Sequence, residues 1–171
     1  MGLFESIPYD VVKKEGKIEI RRYDVILLAS TKSEPTPSQT SGFSQVFQYI
    51  SGKNESEKKI SMTTPVVSYE EDQRLVTGFY VPSGYNKDTV PEPKGDDVFI
   101  QELPPSLYAV IRFSGRWTTK IFETHEQRLL DYLTEHDYVT RSKRFIFRYQ
   151  PPFIPAFLRR NEIAYQIVSD K

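Results

Sequence analysis

The chain has 171 residues with 23 basic and 23 acidic side chains, so its formal net charge is zero, and 38% of its residues are apolar. That length suits one domain with a proper core, and the charge balance argues against nucleic acid as a main partner, because phosphate binding calls for a basic excess. There is no cysteine, which excludes a disulfide framework, a thiolate nucleophile, an iron–sulfur cluster and a Cys-ligated zinc site. No apolar run reaches the length of a membrane span and no secretory h-region opens the chain. Stable membrane insertion is therefore not expected, and the expected location is cytoplasmic. "MGLFES" has the spelling of a myristoylation signal through Gly2 and Ser6, without a polybasic second anchor. "NES" at Asn54 to Ser56 is a glycosylation sequon by spelling only.

The first element follows from "KKEGKIEIRRY". Ile18, Ile20 and Arg22 alternate with Glu19 and Arg21 in a strand period, and Gly16 marks a hairpin turn before them. Val25 to Ser30 is a second, more apolar strand. In "EPTPSQTSGFSQVFQYISGKN", Thr36 with Gln39 predicts a capping box and Pro37 sits at the first helical position. Phe43, Val46, Phe47 and Ile50 then form a helical stripe that Gly52 closes. Strands are expected at Val66–Tyr69 and Leu75–Val81, followed by a Pro- and Gly-bearing connection from Pro82 to Gly95.

The second half repeats the plan. "VFIQELPPSLYAVIRF" predicts strand, Pro-Pro turn, strand, and the segment from Ser114 to His136 predicts a helix with the stripe Phe122, Leu129, Leu130 and Leu133. "RFIFRY" and "NEIAYQIV" complete it as strands. Strand–strand–helix–strand–strand thus occurs twice, at roughly 18–81 and 98–168, too long a period for a solenoid. The expected class is α+β: a duplicated unit within one domain over residues 1–171, with a largely antiparallel sheet, curled or closed, and two helices against it.

Chemistry-bearing clusters are sparse. The only histidines, His125 and His136, lie about three turns apart on one predicted helix, without zincin spacing, and are expected to be solvated or at a helix end. No serine sits in a nucleophile elbow. The acidic runs at Glu70–Asp72 and Asp96–Asp97 fall at turns, as solvated carboxylates do. Arg141, Lys143 and Arg144 form a short basic cluster of the kind a solvated loop carries. No catalytic constellation is visible, and the expectation is a non-enzymatic protein. Two segments remain unusual. "KKISMTTPVVSY" holds Met62, a residue that fills core gaps and whose thioether can also ligate haem iron. "RYQPPFIPAFLRRNE" combines Pro151, Pro152 and Pro155 with Tyr149, Phe153, Ile154, Phe157 and Leu158. A loop so apolar is expected to bury at least one of Phe153 and Phe157.

Together "VVKKEGKIEIRRY", "KKISMTTPV", "FSGRW" and "RYQPPFIPAFLRRNE" resemble the SOUL family of haem-binding proteins, in the family's order, from about Tyr9 to Val168. The resemblance implies a distorted antiparallel β-barrel flanked by two helices. It also implies a haem or other tetrapyrrole ligand in a shallow apolar cleft between the first helix and the loop before the last strand. Carried over by position, Phe43 and Phe47 would form one wall. Tyr149, Phe153, Ile154, Phe157 and Leu158 would form the other, with Arg159 or Lys53 at the propionates. Some members supply an axial His within "I-R-H-Y"; here Arg22 holds that position. A guanidinium has no lone pair to give, so the axial ligand would be weak, absent, or another group such as Tyr49, Met62 or Tyr149. The role implied is a carrier, buffer or sensor. The alternative is a small-molecule sensor or protein-interaction module on the same scaffold, its cleft taking another hydrophobic ligand or a partner helix.

Overall fold

A computed structural model describes residues 4–169; the Gly2 signal lies outside them. The hairpin is present, with β2 (Asp10–Glu15) and β3 (Ile18–Tyr23) joined at Gly16, whose φ of 60° is the left-handed turn geometry that glycine adopts without strain. β1 (Glu5–Ser6) precedes them and β4 (Ile26–Ser33) follows. Helix α1 spans Phe43–Ile50, six residues later than the capping box at Thr36 with Pro37 as first helical residue predicts. Gln39 instead takes a left-handed φ of 57° and Thr36 to Thr40 closes as a turn. The N-cap is Gly42, where a Cβ would stand 2.7–2.9 Å from Thr77 and Thr31 side chains, so only glycine lets the helix start against the sheet. β5 (Thr63–Thr64), β6 (Val66–Glu71) and β7 (Arg74–Tyr80) follow. Then come β8 (Phe99–Leu103), β9 (Ser106–Phe113), α2 (Thr119–Glu135), β10 (Tyr138–Thr140), β11 (Phe145–Arg148) and β12 (Asn161–Ser169). The Thr118 hydroxyl caps α2 by accepting the Ile121 N–H. No described helix is long and apolar enough to cross a membrane.

One antiparallel sheet runs β2-β3-β9-β12-β11-β6-β7-β4-β8, with β10 on the far end of β12 and the two edges left open. Exchanging β3, β4, β6, β7 for β8, β9, β11, β12 maps this order onto its own reverse about the β6–β11 pair, which supports the expected duplication. The sheet curls into an incomplete barrel. Alternate residues divide between its faces: on β9, Tyr108 and Val110 enter the interior cluster, whereas Ala109, Ile111 and Phe113 face α2. Interior packing is aromatic, with Tyr23 against Tyr108 at 4.8 Å and Tyr69 against Phe145 at 5.2 Å. Outside, Phe122, Leu129 and Leu133 of α2 pack on one half of the sheet, and Leu130 is only partly buried. Val46, Tyr49 and Ile50 of α1 pack on Leu27, Ala29 and Phe79 of the other.

Strand alternation would put Arg21 and Glu162 on a solvent face, but both are buried inside the barrel. The Arg21 guanidinium donates to both Glu162 carboxylate oxygens at 2.8 and 2.7 Å, a bidentate pair across β9. Arg160 donates to the same carboxylate at 3.0 Å and to the Tyr9 hydroxyl at 3.2 Å, and Arg21 also donates to the Tyr23 hydroxyl. Burial alone would raise the Glu162 carboxyl, but the hydrogen bonds and charges of Arg21 and Arg160 outweigh it and hold the carboxyl below its ordinary value. A folded-state value below the unfolded one means the unfolded chain binds more protons between the two. The pair's stability is therefore present above the unfolded carboxyl value, about 4.3, and is lost as pH falls through the folded one. Glu162→Gln removes the carboxylate shared by buried Arg21 and half-buried Arg160, leaving Arg21 only Glu19 at 2.7 Å, and is expected to cost about 3 kcal/mol. Denaturant unfolding measured from neutral to acid pH should show that cost and a shallower acid loss in the variant.

Candidate functional site

The buried side of α1 leaves its other flank open. There Phe43, Val46, Phe47 and Ile50 meet Met62, Val66, Thr77 and Phe79 around a shallow groove that opens to solvent and encloses only about 10 Å³. Thr77 is the one polar residue of that lining, and its buried hydroxyl has no hydrogen-bond partner. The groove is smaller than the roughly 300–1,000 Å³ of enclosing ligand pockets, so a large flat ligand would lie across it and not inside it. Phe47, expected on the buried stripe, is 49% exposed at the rim.

The loop from Tyr149 to Arg160 is pressed against very little. Phe153 is 82% exposed, Phe157 75% and Leu158 60%, while Ile154 is half-buried. This corrects the expectation that the loop buries Phe153 or Phe157. It holds its shape through its backbone and one side chain. Arg159 donates to the Pro152 and Ile154 carbonyls at 2.7 and 3.0 Å, and Gly115 N–H donates to the Ala156 carbonyl at 3.0 Å. A 3-10 turn at Ala156–Leu158 and three prolines limit the remaining freedom. The Arg159 guanidinium also lies 4.5 Å from the centre of the Trp117 ring. It is therefore engaged within the loop and is not a free cation. Tyr149 stands apart from this surface: its ring lies 3.9 Å from the Arg160 guanidinium, beside the ionic cluster, and burial pushes its phenol well up.

Behind the groove sits a residue that the strand pattern of "RFIFRY" does not single out. Arg148 is 2% exposed and has no acidic partner. Its guanidinium donates to the Gln39 carbonyl at 3.0 Å, the Ser68 hydroxyl at 3.2 Å and the Ser38 carbonyl, while its Nε has no partner. Three rings surround it, Trp117 at 4.8 Å, Phe122 at 5.5 Å and Phe43 at 5.7 Å. Burial, with lesser repulsion from Arg144 and Arg159, pushes it down to about 9, so it stays charged at neutral pH. Arg148 and Arg159 both lie against Trp117, and Phe43 meets Trp117 edge-on at 6.3 Å. Trp117 thus joins helix wall, buried cation and loop. Its indole N–H donates to Asn161 at 2.9 Å, and Asn161 in turn donates to the Gly115 carbonyl.

The other candidates separate. Tyr49 is buried, donates its hydroxyl to the Pro91 carbonyl at 2.5 Å, and is pushed up to about 12 by burial. Arg22 is exposed on β3, whereas α1 packs on β4 and β7 at the other end of the strand order. Lys53 is exposed past the end of α1 and donates to Gln48. Of the groups weighed for iron, only Met62 lines the groove. His125 is stacked on Phe113 at 4.1 Å and is not a solvated residue; its Nδ1 donates to the Ile121 carbonyl. His136 does sit at a helix end, as the C-cap of α2, 3.6 Å from Glu15. Asn54 of the sequon is fully buried and donates to the Tyr49 and Lys58 carbonyls, so its amide is unavailable to a sugar. Among the described residues there is no group of three His, Asp or Glu side chains placed to hold a metal ion.

A curled antiparallel sheet with two outer helices defines the fold class. The C-terminal domain of EcmrR shares that fold, with a TM-score of 0.70, 9% identity, and 94% of this chain and 98% of that domain covered. Family membership comes from the sequence: the chain belongs to the SOUL heme-binding protein family, whose model matches residues 4–166. It is 31% identical to Heme-binding protein 2 of Mus musculus over 167 residues, covering 91% of this chain and 80% of the mouse protein. Against Heme-binding protein 2 of Homo sapiens it is 35% identical over 118 residues, 63% of this chain and 57% of the human protein.

Because Phe153 and Phe157 are already solvated, Phe153→Ala and Phe157→Ala are each expected to change unfolding free energy by no more than about 0.5 kcal/mol. Buried-core truncation at the same residue type would cost about 3–5 kcal/mol. Chemical denaturation of the two variants decides between these outcomes.

Proposed function

We propose that the protein binds haem or a related tetrapyrrole reversibly and without catalysis, as a carrier, buffer or sensor. The plate would lie across the α1 groove and be faced by the Pro-rich loop. The observation that carries this reading is the exposure of Phe47, Phe153, Phe157 and Leu158 on pre-formed backbone in a SOUL family chain. A flat apolar ligand gains from covering such rings, and a loop that is already stiff loses little entropy on binding. Arg148, charged but buried behind Phe43, favours an anionic ligand at the groove through its field and not by contact. When bound, haem would supply an iron centre open to an axial ligand. Met62 is the side chain at the groove able to donate to it through a thioether.

A second reading is supported by the groove's small volume and the absence of His from its lining. On this reading the scaffold is a small-molecule sensor or a protein-interaction module that does not take haem physiologically. Titration of the apo chain with haem, followed by absorbance, separates the two. Saturable sharpening of the Soret band is expected, with Phe47→Ala and Phe157→Ala each weakening binding by about 1–3 kcal/mol. Met62→Leu, close to it in volume, should alter the visible bands of the complex more than its affinity. No saturable change in the wild-type chain would overturn the haem reading.

A further inference from the structure

The exposed rings of the loop sit in an unusual electrostatic setting. From Arg148 to Asn161 there is no acidic residue, and the segment Ser114–Lys120, joined to the loop through Gly115 and Trp117, has none either. That neighbouring segment carries Arg116 and Lys120, both exposed and neither in an ion pair among the described residues. The nearest acid along α2 is Glu123, and Glu162 beyond the loop is neutralised inside the barrel by Arg21 and Arg160. A net charge of zero over the whole chain therefore conceals a face that is apolar at its tip and cationic beside it.

We propose that this face is a membrane-interface docking surface: Phe153, Phe157 and Leu158 enter the headgroup boundary of an anionic bilayer while Arg116 and Lys120 pair with its phosphates. Interfacial binding needs this combination. Aromatic and Leu side chains supply the apolar contact, and nearby Lys and Arg supply attraction to acidic lipid within a Debye length. The loop's own hydrogen bonds matter equally. Arg159 takes the Pro152 and Ile154 carbonyls and Gly115 takes that of Ala156, so those backbone acceptors need not be desolvated unpaired when the tip descends. The protein lies on the bilayer and does not cross it. This surface belongs to the chain with or without a tetrapyrrole. Because the proposed ligand would cover some of the same rings, loading and docking compete.

The test is co-sedimentation of the ligand-free full chain with vesicles of phosphatidylcholine alone and of phosphatidylcholine mixed with phosphatidylserine. Uptake is expected on the mixed vesicles, falling with added salt. The double variant Phe153→Ala, Phe157→Ala should lose at least about tenfold in partitioning. Arg116→Gln with Lys120→Gln should bring mixed vesicles down to the level of neutral ones. Circular dichroism melting checks that both variants remain folded, and haem titration of the same proteins without lipid reports separately on the groove. Wild-type protein that stays in the supernatant with both vesicle types overturns the proposal. So does a double variant that binds as well as wild type, or a concentration-dependent dimer lost in that variant while vesicle uptake is absent.

Discussion

A buried cation without an acidic partner among the described residues joins both helices to the Pro-rich loop. Arg148 leaves the sheet between the two helices, and a guanidinium in such a place is tolerated only where donors and charge are both answered. Carbonyls of Ser38 and Gln39 and the Ser68 hydroxyl answer the terminal nitrogens, Nε is left without a partner, and Phe43, Trp117 and Phe122 answer part of the charge through their π faces. Each answer fixes a different piece of chain. The carbonyls hold the turn that leads into α1, Phe43 opens α1 itself, and Trp117 and Phe122 belong to the start of α2. Trp117 then carries Arg159, so the Pro-rich loop is registered to the groove through one shared ring. The groove wall and the loop would otherwise be set by separate elements with no direct contact to keep them in step.

The ionic cluster inside the barrel is built on the opposite logic. Arg21 and Arg160 are balanced by Glu162 and Glu19, with the Glu162 carboxylate held in its charged form, and the cluster ties β3 to β12 across β9. Such a pair adds little net stability over a well-packed apolar replacement, but it penalises any register that separates its members. A sheet whose two edges remain open has more need of that discrimination than a closed one. The interior is thus specified by charge, and the outer face by a charge left uncompensated.

What the sequence disclosed followed from local periodicity. The β2–β3 hairpin, the apolar stripe of α2 and the strands β4, β6 to β9, β11 and β12 are visible in alternation, stripe and turn residues, because their local preference agrees with their burial. The start of α2 is not, since the helix read from Ser114 begins only at Thr119, behind its Thr118 cap. The start of α1 was not legible, since Thr36, Pro37 and Gln39 satisfy a capping pattern yet close a turn instead. What overrode it was tertiary: Arg148 claims the carbonyls of Ser38 and Gln39 from a strand 109 positions away. Arg21 and Glu162 were hidden for the same reason, as each looks like a solvated strand residue until its partner 141 positions away is known. The family motifs led to the loop and to the α1 wall. Only coordinates reveal that the loop's rings are exposed, that Tyr149 faces the ionic cluster, and that Met62 shares the groove while Tyr49 and Arg22 do not.

The open groove has a simple origin in unequal helices on a nearly symmetric sheet. The strand order treats the two halves alike, but α1 has 8 residues and α2 has 17. At 1.5 Å per residue these span about 12 and about 26 Å. The longer helix covers its half of the sheet, with Phe122, Leu129 and Leu133 closing over Ile111, Ile146 and Ile163. The shorter one covers its half with Val46, Tyr49 and Ile50 and stops, leaving Met62, Val66 and Phe79 beside a half-exposed Phe47. A second full-length helix would bury that strip and remove the site. Shortening one helix while stiffening the loop opposite with prolines keeps apolar surface open at both places at little cost in conformational entropy.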